Sequence, residues 1–251
     1  MQAKKFELIS FPGPDALVAA VAGAWLDEIE AANRAGKPHC VALVGGRIIQ
    51  SFFLSAAEKA IARKVSFANV QFFWADERCV PPDDPESNFK LANDLLFEPL
   101  HIAPSQIHRL LGELEPEKAV AMANAEILRL VHNENGIPIL DLILLSPGED
   151  GHVASLFQNA RFAADKNAKC NDPFIFVSNS PKPPPRRISL NYNTIVAARQ
   201  AWVIASGAGK EDALKRSVNV EGNRSDAETS LGRVIKSRLM TKIFVDIALR
   251  M

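Results

Sequence analysis

Short apolar runs alternate along this chain with longer stretches whose apolar residues recur at helical spacing, and that alternation most constrains the fold. Leu17, Val21, Trp25 and Ile29 stand four apart and predict an amphipathic helix over about 14–35, ended by Gly36 and Pro38. His39–Val44 reads as a strand, Gly45-Gly46 as a turn and about 48–64 as a second helix. Val70–Trp74 is the next strand, followed by an acidic, Pro-rich loop over Asp76–Glu86. Ser87 is placed to cap a helix running to about 96, and Pro116 opens another that reaches about His132. Leu142–Leu145 is a buried strand, and Phe174–Ser178 and Ile188–Asn191 flank a Pro181–Pro185 loop as further strands. Ala201–Ser206 is a strand leading through Gly207-Ala208-Gly209-Lys210 into a helix. Ser225 and Glu228 have capping-box spacing for a last helix, and Ile243–Leu249 closes the chain as a strand. Strand–helix alternation of this kind predicts an α/β fold, a mainly parallel sheet with helices on both faces.

Of the 251 residues, 47% are hydrophobic and 23% charged, enough apolar side chain for a large core in one domain spanning 1–251. The 29 basic residues balance the 29 acidic ones, which argues against a nucleic-acid partner. Cys40, Cys79 and Cys170 are too few and too scattered for a disulfide framework or a zinc site, so no metal is expected and a reducing, cytoplasmic location fits. No signal peptide is visible in Met1–Ser10, and no apolar run approaches the roughly 20 residues needed to cross a bilayer, so no membrane partner is expected.

The strand-to-loop junctions carry the chemistry. After Leu142–Leu145 the chain reads Ser146-Pro147-Gly148-Glu149-Asp150-Gly151-His152, just where a new helix could begin. A histidine at the carboxyl end of a buried strand opens into the crevice where α/β sheets bind ligands, and imidazole exchanges protons near neutral pH. Asp150 either orients that histidine or caps the helix; the plainer alternative for His152 is a loop residue with no chemistry. No Gly-x-Ser-x-Gly elbow supports a serine nucleophile. Gly45-Gly46, before Arg47, allows backbone N–H groups to approach an anion, although a plain turn would read the same way. No Walker or dinucleotide fingerprint is present, so no nucleotide cofactor is expected. Arg78, beside Asp76, could clamp an anion or simply be solvated. Arg187 and Lys210 offer two cations for a phosphorylated substrate, Lys210 at a helix start where a cation opposes the dipole. His101, His108 and His132 read as surface or helix-end residues.

Together these segments resemble the 6-phosphogluconolactonase family over nearly the whole chain. Asp76-Glu77-Arg78 with Ser87-Asn88, Gly148-x-Asp150-Gly151-His152-x-Ala154-Ser155-Leu156-Phe157, Arg187-Ile188-Ser189-Leu190 and Gly207–Lys210 follow its motifs in order. The related glucosamine-6-phosphate deaminases share the Asp-Gly-His core but usually continue with Asn and Glu, and have Tyr in place of Arg78. The resemblance implies a single Rossmann-like domain without metal or nucleotide cofactor that hydrolyses 6-phosphogluconolactone in the oxidative pentose phosphate pathway. It implies that His152 activates water, that Asp150 binds or orients, and that Arg78 contacts substrate. Gly45, Gly46, Arg47, Asn88, Gly148, Gly151, Arg187 and Lys210 would bind substrate, with the Gly45-Gly46 loop, Arg187 and Lys210 on its phosphate. The expected partner is a small sugar-phosphate lactone, and the expected state a monomer or weak homo-oligomer. One departure stands out: the first loop reads Val44-Gly45-Gly46-Arg47-Ile48-Ile49 where the family commonly has Ser-Gly-Gly-Ser-Thr-Pro. The alternatives are a deaminase-like sugar-phosphate isomerase or a non-catalytic sugar-phosphate binding protein.

Overall fold

His39–Leu43 (β2) and Leu142–Leu145 (β7) are buried at every position, the mark of strands covered on both faces. In the computed structural model, which describes residues 5–158, 172–218 and 229–247, they sit side by side at the centre of the main sheet. That sheet has six strands, all parallel, in the order β1 (Phe6–Ser10), β11 (Thr241–Val245), β10 (Gln200–Ala205), β7, β2, β3 (Val70–Trp74). From β2 the chain passes through α2 (Arg47–Arg63) to β3 on one side. From β10 it passes through α6 (Glu211–Val218) and α7 (Ser230–Ser237) to β11 on the other. Right-handed crossovers running in opposite directions put these helices on opposite faces, as the alternation predicted. The first helix, α1 (Pro14–Arg34), packs against α2, and α5 (Tyr192–Ala197) against α7.

The core follows the helical periodicity. Leu17, Val21, Trp25 and Ile29 of α1 are fully buried. Trp25 meets Phe52 of α2 at 5.6 Å between ring centroids and Phe72 of β3 edge-on at 6.5 Å. Its indole Nε1 donates to Nε2 of the buried His39 at 3.3 Å, so that nitrogen must be unprotonated. Burial lowers the His39 pKa from its ordinary value, against the opposing pull of Asp141 and Glu28. The unfolded chain therefore binds this proton more readily than the fold does. Stability contributed by neutral His39 is present above about pH 6.5 and is lost as the pH falls below it. His39→Gln, which can still accept from Trp25 but cannot charge, should shrink the loss of urea midpoint between pH 7.5 and 5.5 relative to wild type; an equal loss in both proteins would remove His39 from the account.

Several expectations are corrected. Asp76–Arg78 is not loop but a strand, β4, antiparallel to β9 (Arg187–Leu190), which pairs in turn with β8 (Phe174–Val177). Its charges are read by specific partners rather than by water: Glu77 accepts from the N–H groups of Arg78, Asn88 and Phe89 and from Ser87 Oγ, at 2.7–3.1 Å. Burial still pushes its carboxyl up to about 7 against those donors. Among the described residues that follow His152, up to Gln158, there is no helix; Val153 and Leu156 form an isolated bridge around Ala154, whose φ is +50°. The helix capped by Ser87, α3 (Asn88–Ala92), continues as a π turn over Asn93–Phe97, and α4 spans Pro116–Leu130. Ser225 and Glu228 lie outside the described residues; α7 is capped by Thr229, whose Oγ1 accepts from Gly232 N at 2.9 Å. The edge strand β1 was not anticipated, nor was the hairpin β5 (Asn133–Glu134) to β6 (Ile137–Pro138), although its Asn135-Gly136 turn is a strong hairpin signal. His108 is not a surface residue: its ring lies between Gln71 and Glu126 at 2.8 and 3.0 Å and stacks on Phe73.

Candidate active site

Loops from the carboxyl ends of β2, β7 and β10, the loop between β8 and β9, and Arg78 at the end of β4 meet around a cleft of about 700 Å³. The cleft opens where the strand order reverses, between β2 and β7, the place where open α/β sheets bind ligands. Gly45, Gly46, Arg47, Arg78, Gly148, His152, Arg187 and Lys210 all line it. Ser146, Glu149, Lys182 and Ser206 line it too.

His152 is held on three sides. Nδ1 lies 2.5 Å from Asp150 Oδ1, and the imidazole faces the Phe157 ring with 4.2 Å between centroids. On another side the backbone of Gly148 approaches so closely that a Cβ there would overlap Cε1 and Nδ1 and stand 2.7 Å from Asp150 Oδ1. The hydrogen bond from His152 is the largest influence on Asp150 and pulls its carboxyl down to about 2. An ionised Asp150 accepts the Nδ1 proton, which fixes the tautomer and leaves the Nε2 lone pair free for chemistry. Asp150 itself is not part of the cleft lining; its place is behind the imidazole. Gly151, at φ +83°, is also outside the lining and lets the loop pass against Thr229, while its carbonyl accepts from Leu231 N at 3.0 Å. Ser230 Oγ donates to the Leu156 carbonyl, so the start of α7 supports the loop from below.

Asn88 also lies behind the cleft lining. It donates to the Asp76 carbonyl at 2.8 Å and packs under Gly45, where any Cβ would collide with its amide. It therefore supports the Gly45-Gly46 loop from the start of α3, tied to β4 through Asp76. Ser155 joins the same buried layer: its hydroxyl donates to Asp76 Oδ2 at 2.6 Å, and its N–H to Ser189 Oγ at 3.2 Å.

The cations differ in what they already hold. Arg78 is aimed by the Glu86 carbonyl and the Glu86 carboxylate, yet its Nε is buried without a partner among the described residues. Arg47 opens α2 and is exposed. Gly46, at φ +123°, brings no side-chain cap to that helix; Ile49 N donates to the Gly46 carbonyl at 3.1 Å, and the N–H groups of Arg47 and Ile48, which line the cleft, have no helical acceptor. Lys210 precedes α6; burial lowers its pKa most, then the charge of Arg47, with Lys182 adding to the effect and Asp246 and Glu149 opposing it. Like charges converging at a helix start call for an anion between them.

Lys182 was not singled out from the sequence, where it lay in the Pro181–Pro185 loop, and Ser155 and Phe157 entered only as members of the motif that follows His152. Cys79, adjacent to Arg78, is pushed up to about 11 by burial and stays a weakly reactive thiol at neutral pH. Among the described residues no three His, Cys, Asp or Glu side chains are grouped to hold a metal, and no helix is long and apolar enough to cross a membrane.

The family model for glucosamine-6-phosphate isomerases/6-phosphogluconolactonase matches residues 12–238. A 6-phosphogluconolactonase of Treponema pallidum (strain Nichols) is 35% identical over 69% of this chain and 70% of its own length. One from Mycobacterium tuberculosis (strain ATCC 25618 / H37Rv) is 34% identical over 83% and 84%. Among solved structures, a devB protein superposes with a TM-score of 0.82 at 30% identity, covering 96% of both chains. With its Asp-Gly-His loop at the switch point of a six-stranded parallel sheet, this chain belongs to the glucosamine-6-phosphate isomerase/6-phosphogluconolactonase family.

Proposed function

We propose that this chain hydrolyses 6-phospho-D-glucono-1,5-lactone to 6-phosphogluconate, with His152 as the base. The observation that carries the mechanism is the Asp150–His152 pair, fixed at 2.5 Å with Nε2 free on the wall of a cation-lined cleft. The activity itself is the one borne by the relatives from Treponema and Mycobacterium. A water within reach of Nε2 gives it a proton while its oxygen attacks C1 of the lactone. Charge gathers on the former carbonyl oxygen, where the Arg78 guanidinium on the cleft wall can offset it. Collapse breaks the bond from C1 to the ring oxygen, and the imidazolium returns its proton to that oxygen. The product carboxylic acid then ionises.

The phosphate fits the opposite end. The uncapped start of α2, Arg47 and Lys210 surround one position, with Lys182 facing it from the Pro-rich loop. Arg47 supplies a forked, charged donor set where the family commonly has two hydroxyls. No metal enters this scheme. The setting we propose is a cytoplasmic monomer or weak homo-oligomer acting on a free small molecule.

The activity is tested by following the lactone at neutral pH against its spontaneous hydrolysis, with and without a chelator. Acceleration in both is expected; none in either would sink the reading. Lys210→Ala and Arg47→Ala should raise KM with a modest effect on kcat, because phosphate contacts persist from ground state to transition state. The expected loss of binding for Lys210→Ala is about 2–4 kcal/mol for the phosphorylated lactone and much less for its unphosphorylated analogue. Equal losses for both ligands would make these cations structural.

A further inference from the structure

Arg187 stands in the cleft wall where a phosphate ligand would be expected, but four of its five N–H donors are already engaged. Nε donates to the Pro184 carbonyl at 3.1 Å. Nη2 donates to the carbonyls of Pro183 and Lys182 at 3.0 and 3.3 Å. Nη1 reaches Ser155 Oγ at 3.4 Å, with Asp76 Oδ2 at 3.8 Å. A guanidinium grips phosphate through two parallel N–H groups on one edge, and here the Nε–Nη2 edge is closed by three consecutive carbonyls. The residue is only 5% exposed.

What the guanidinium does offer the site is its face. Its Cζ lies 5.7 Å above the Phe157 ring, and that ring faces the imidazole of His152. Phe157 is buried but belongs to a small cluster with Val177, apart from the main core. Arg187 and His152 therefore close over two parts of its surface, and among the described residues its only buried apolar cluster partner is Val177. Ser155, bonded to Arg187 and Asp76, anchors the same loop two residues earlier.

We propose that Arg187 is a positioning residue for His152, acting through Phe157, and not a ligand of the substrate phosphate. This rests on His152 being the base. The planar fork satisfies several carbonyls at once and still presents a flat cationic face to Phe157; a lysine ammonium, a compact point charge with three donors, has no such face. With Arg187 replaced, Phe157 loses its cover, and the imidazole loses the wall that, with Asp150 and Gly148, fixes where Nε2 points.

The test is Arg187→Lys, which keeps the charge, beside Phe157→Leu, a milder change that leaves Arg187 in place. Each should lower kcat for the phosphorylated lactone by roughly 10–100-fold, the scale of a misplaced catalytic group. The double variant should fall little below the worse single one, because both act on one element. Phe157→Tyr, which keeps an aromatic face, should recover most of the rate. Nitrogen NMR of the His152 ring supplies a readout independent of turnover. Wild type should show a single tautomer protonated at Nδ1, and both variants a mixture or exchange broadening. If wild type proves inactive on the lactone, the ring signals still decide whether the stack holds His152. An Arg187→Lys protein with unchanged kcat, raised KM and unaltered His152 signals would overturn the proposal and return Arg187 to the phosphate. Should Arg187→Lys fail to fold, Phe157→Leu with wild-type kcat and ring signals would overturn it equally.

Discussion

His152→Ala is expected to lower kcat by roughly 10²–10⁴-fold, the range over which general bases contribute, while leaving the protein folded. The imidazole lies at the cleft wall with its side chain 12% exposed, and its partners Phe157 and Asp150 both stand outside the six-stranded sheet. Its removal therefore leaves the six-stranded core intact. One change in stability does follow. Asp150 is held down to about 2 by His152, so the native carboxylate contributes stability that is present above its ordinary value of 3.8 and lost as the pH falls through about 2. That contribution disappears in the variant, modestly, since Asp150 is half exposed. Circular dichroism and a melting curve close to wild type, with near-normal kcat, would move the base to another residue.

Gly148→Ala is the second large effect, and it changes no chemical group. The added Cβ would overlap two imidazole atoms and crowd Asp150 Oδ1, so the imidazole, the carboxylate or the loop must shift. The loop resists, because Gly148 N donates to the His152 carbonyl and the Gly148 carbonyl accepts from Gly151 N, both at 3.0 Å. Displacement of the base by about 1 Å is enough to cost on the order of 10²-fold in rate. The loss should fall on kcat, with KM little changed, since the proposed phosphate anchors at Arg47 and Lys210 lie on other loops. A Gly148→Ala enzyme with wild-type kcat would show that the imidazole has room the structure denies it.

The parallel sheet was legible because its central strands are uninterrupted apolar runs and its long helices keep strict periodicity, as Leu17 to Ile29 do. The antiparallel sheet was not. β4 is three charged residues, Asp76–Arg78, whose partners lie far along the chain in β9, and charge in a short segment looks the same whether water or a buried Ser87 and Asn88 answers it. The edge strand β1 carries no all-apolar run, since it is covered less completely. At the site, His152, Arg78, Lys210 and the paired glycines announce themselves by residue type and by position at strand ends. The supports do not. Phe157 and Ser155 stand in the sequence only as motif members and Lys182 only as a residue of a proline-rich loop, because stacking on an imidazole and wrapping of carbonyls around a guanidinium are relations between distant segments. Arg187 was visible as a cation, but whether a cation is free or engaged is a matter of geometry.

The most direct measurement is a crystal structure with 6-phosphogluconate bound. The phosphate should rest against the first N–H groups of α2, between Arg47 and Lys210. The C1 carboxylate should lie within hydrogen-bond distance of His152 Nε2 and near Arg78, with Arg187 still wrapped by the carbonyls of residues 182–184. A phosphate gripped by Arg187 or Arg78, with C1 out of reach of His152, would contradict the account.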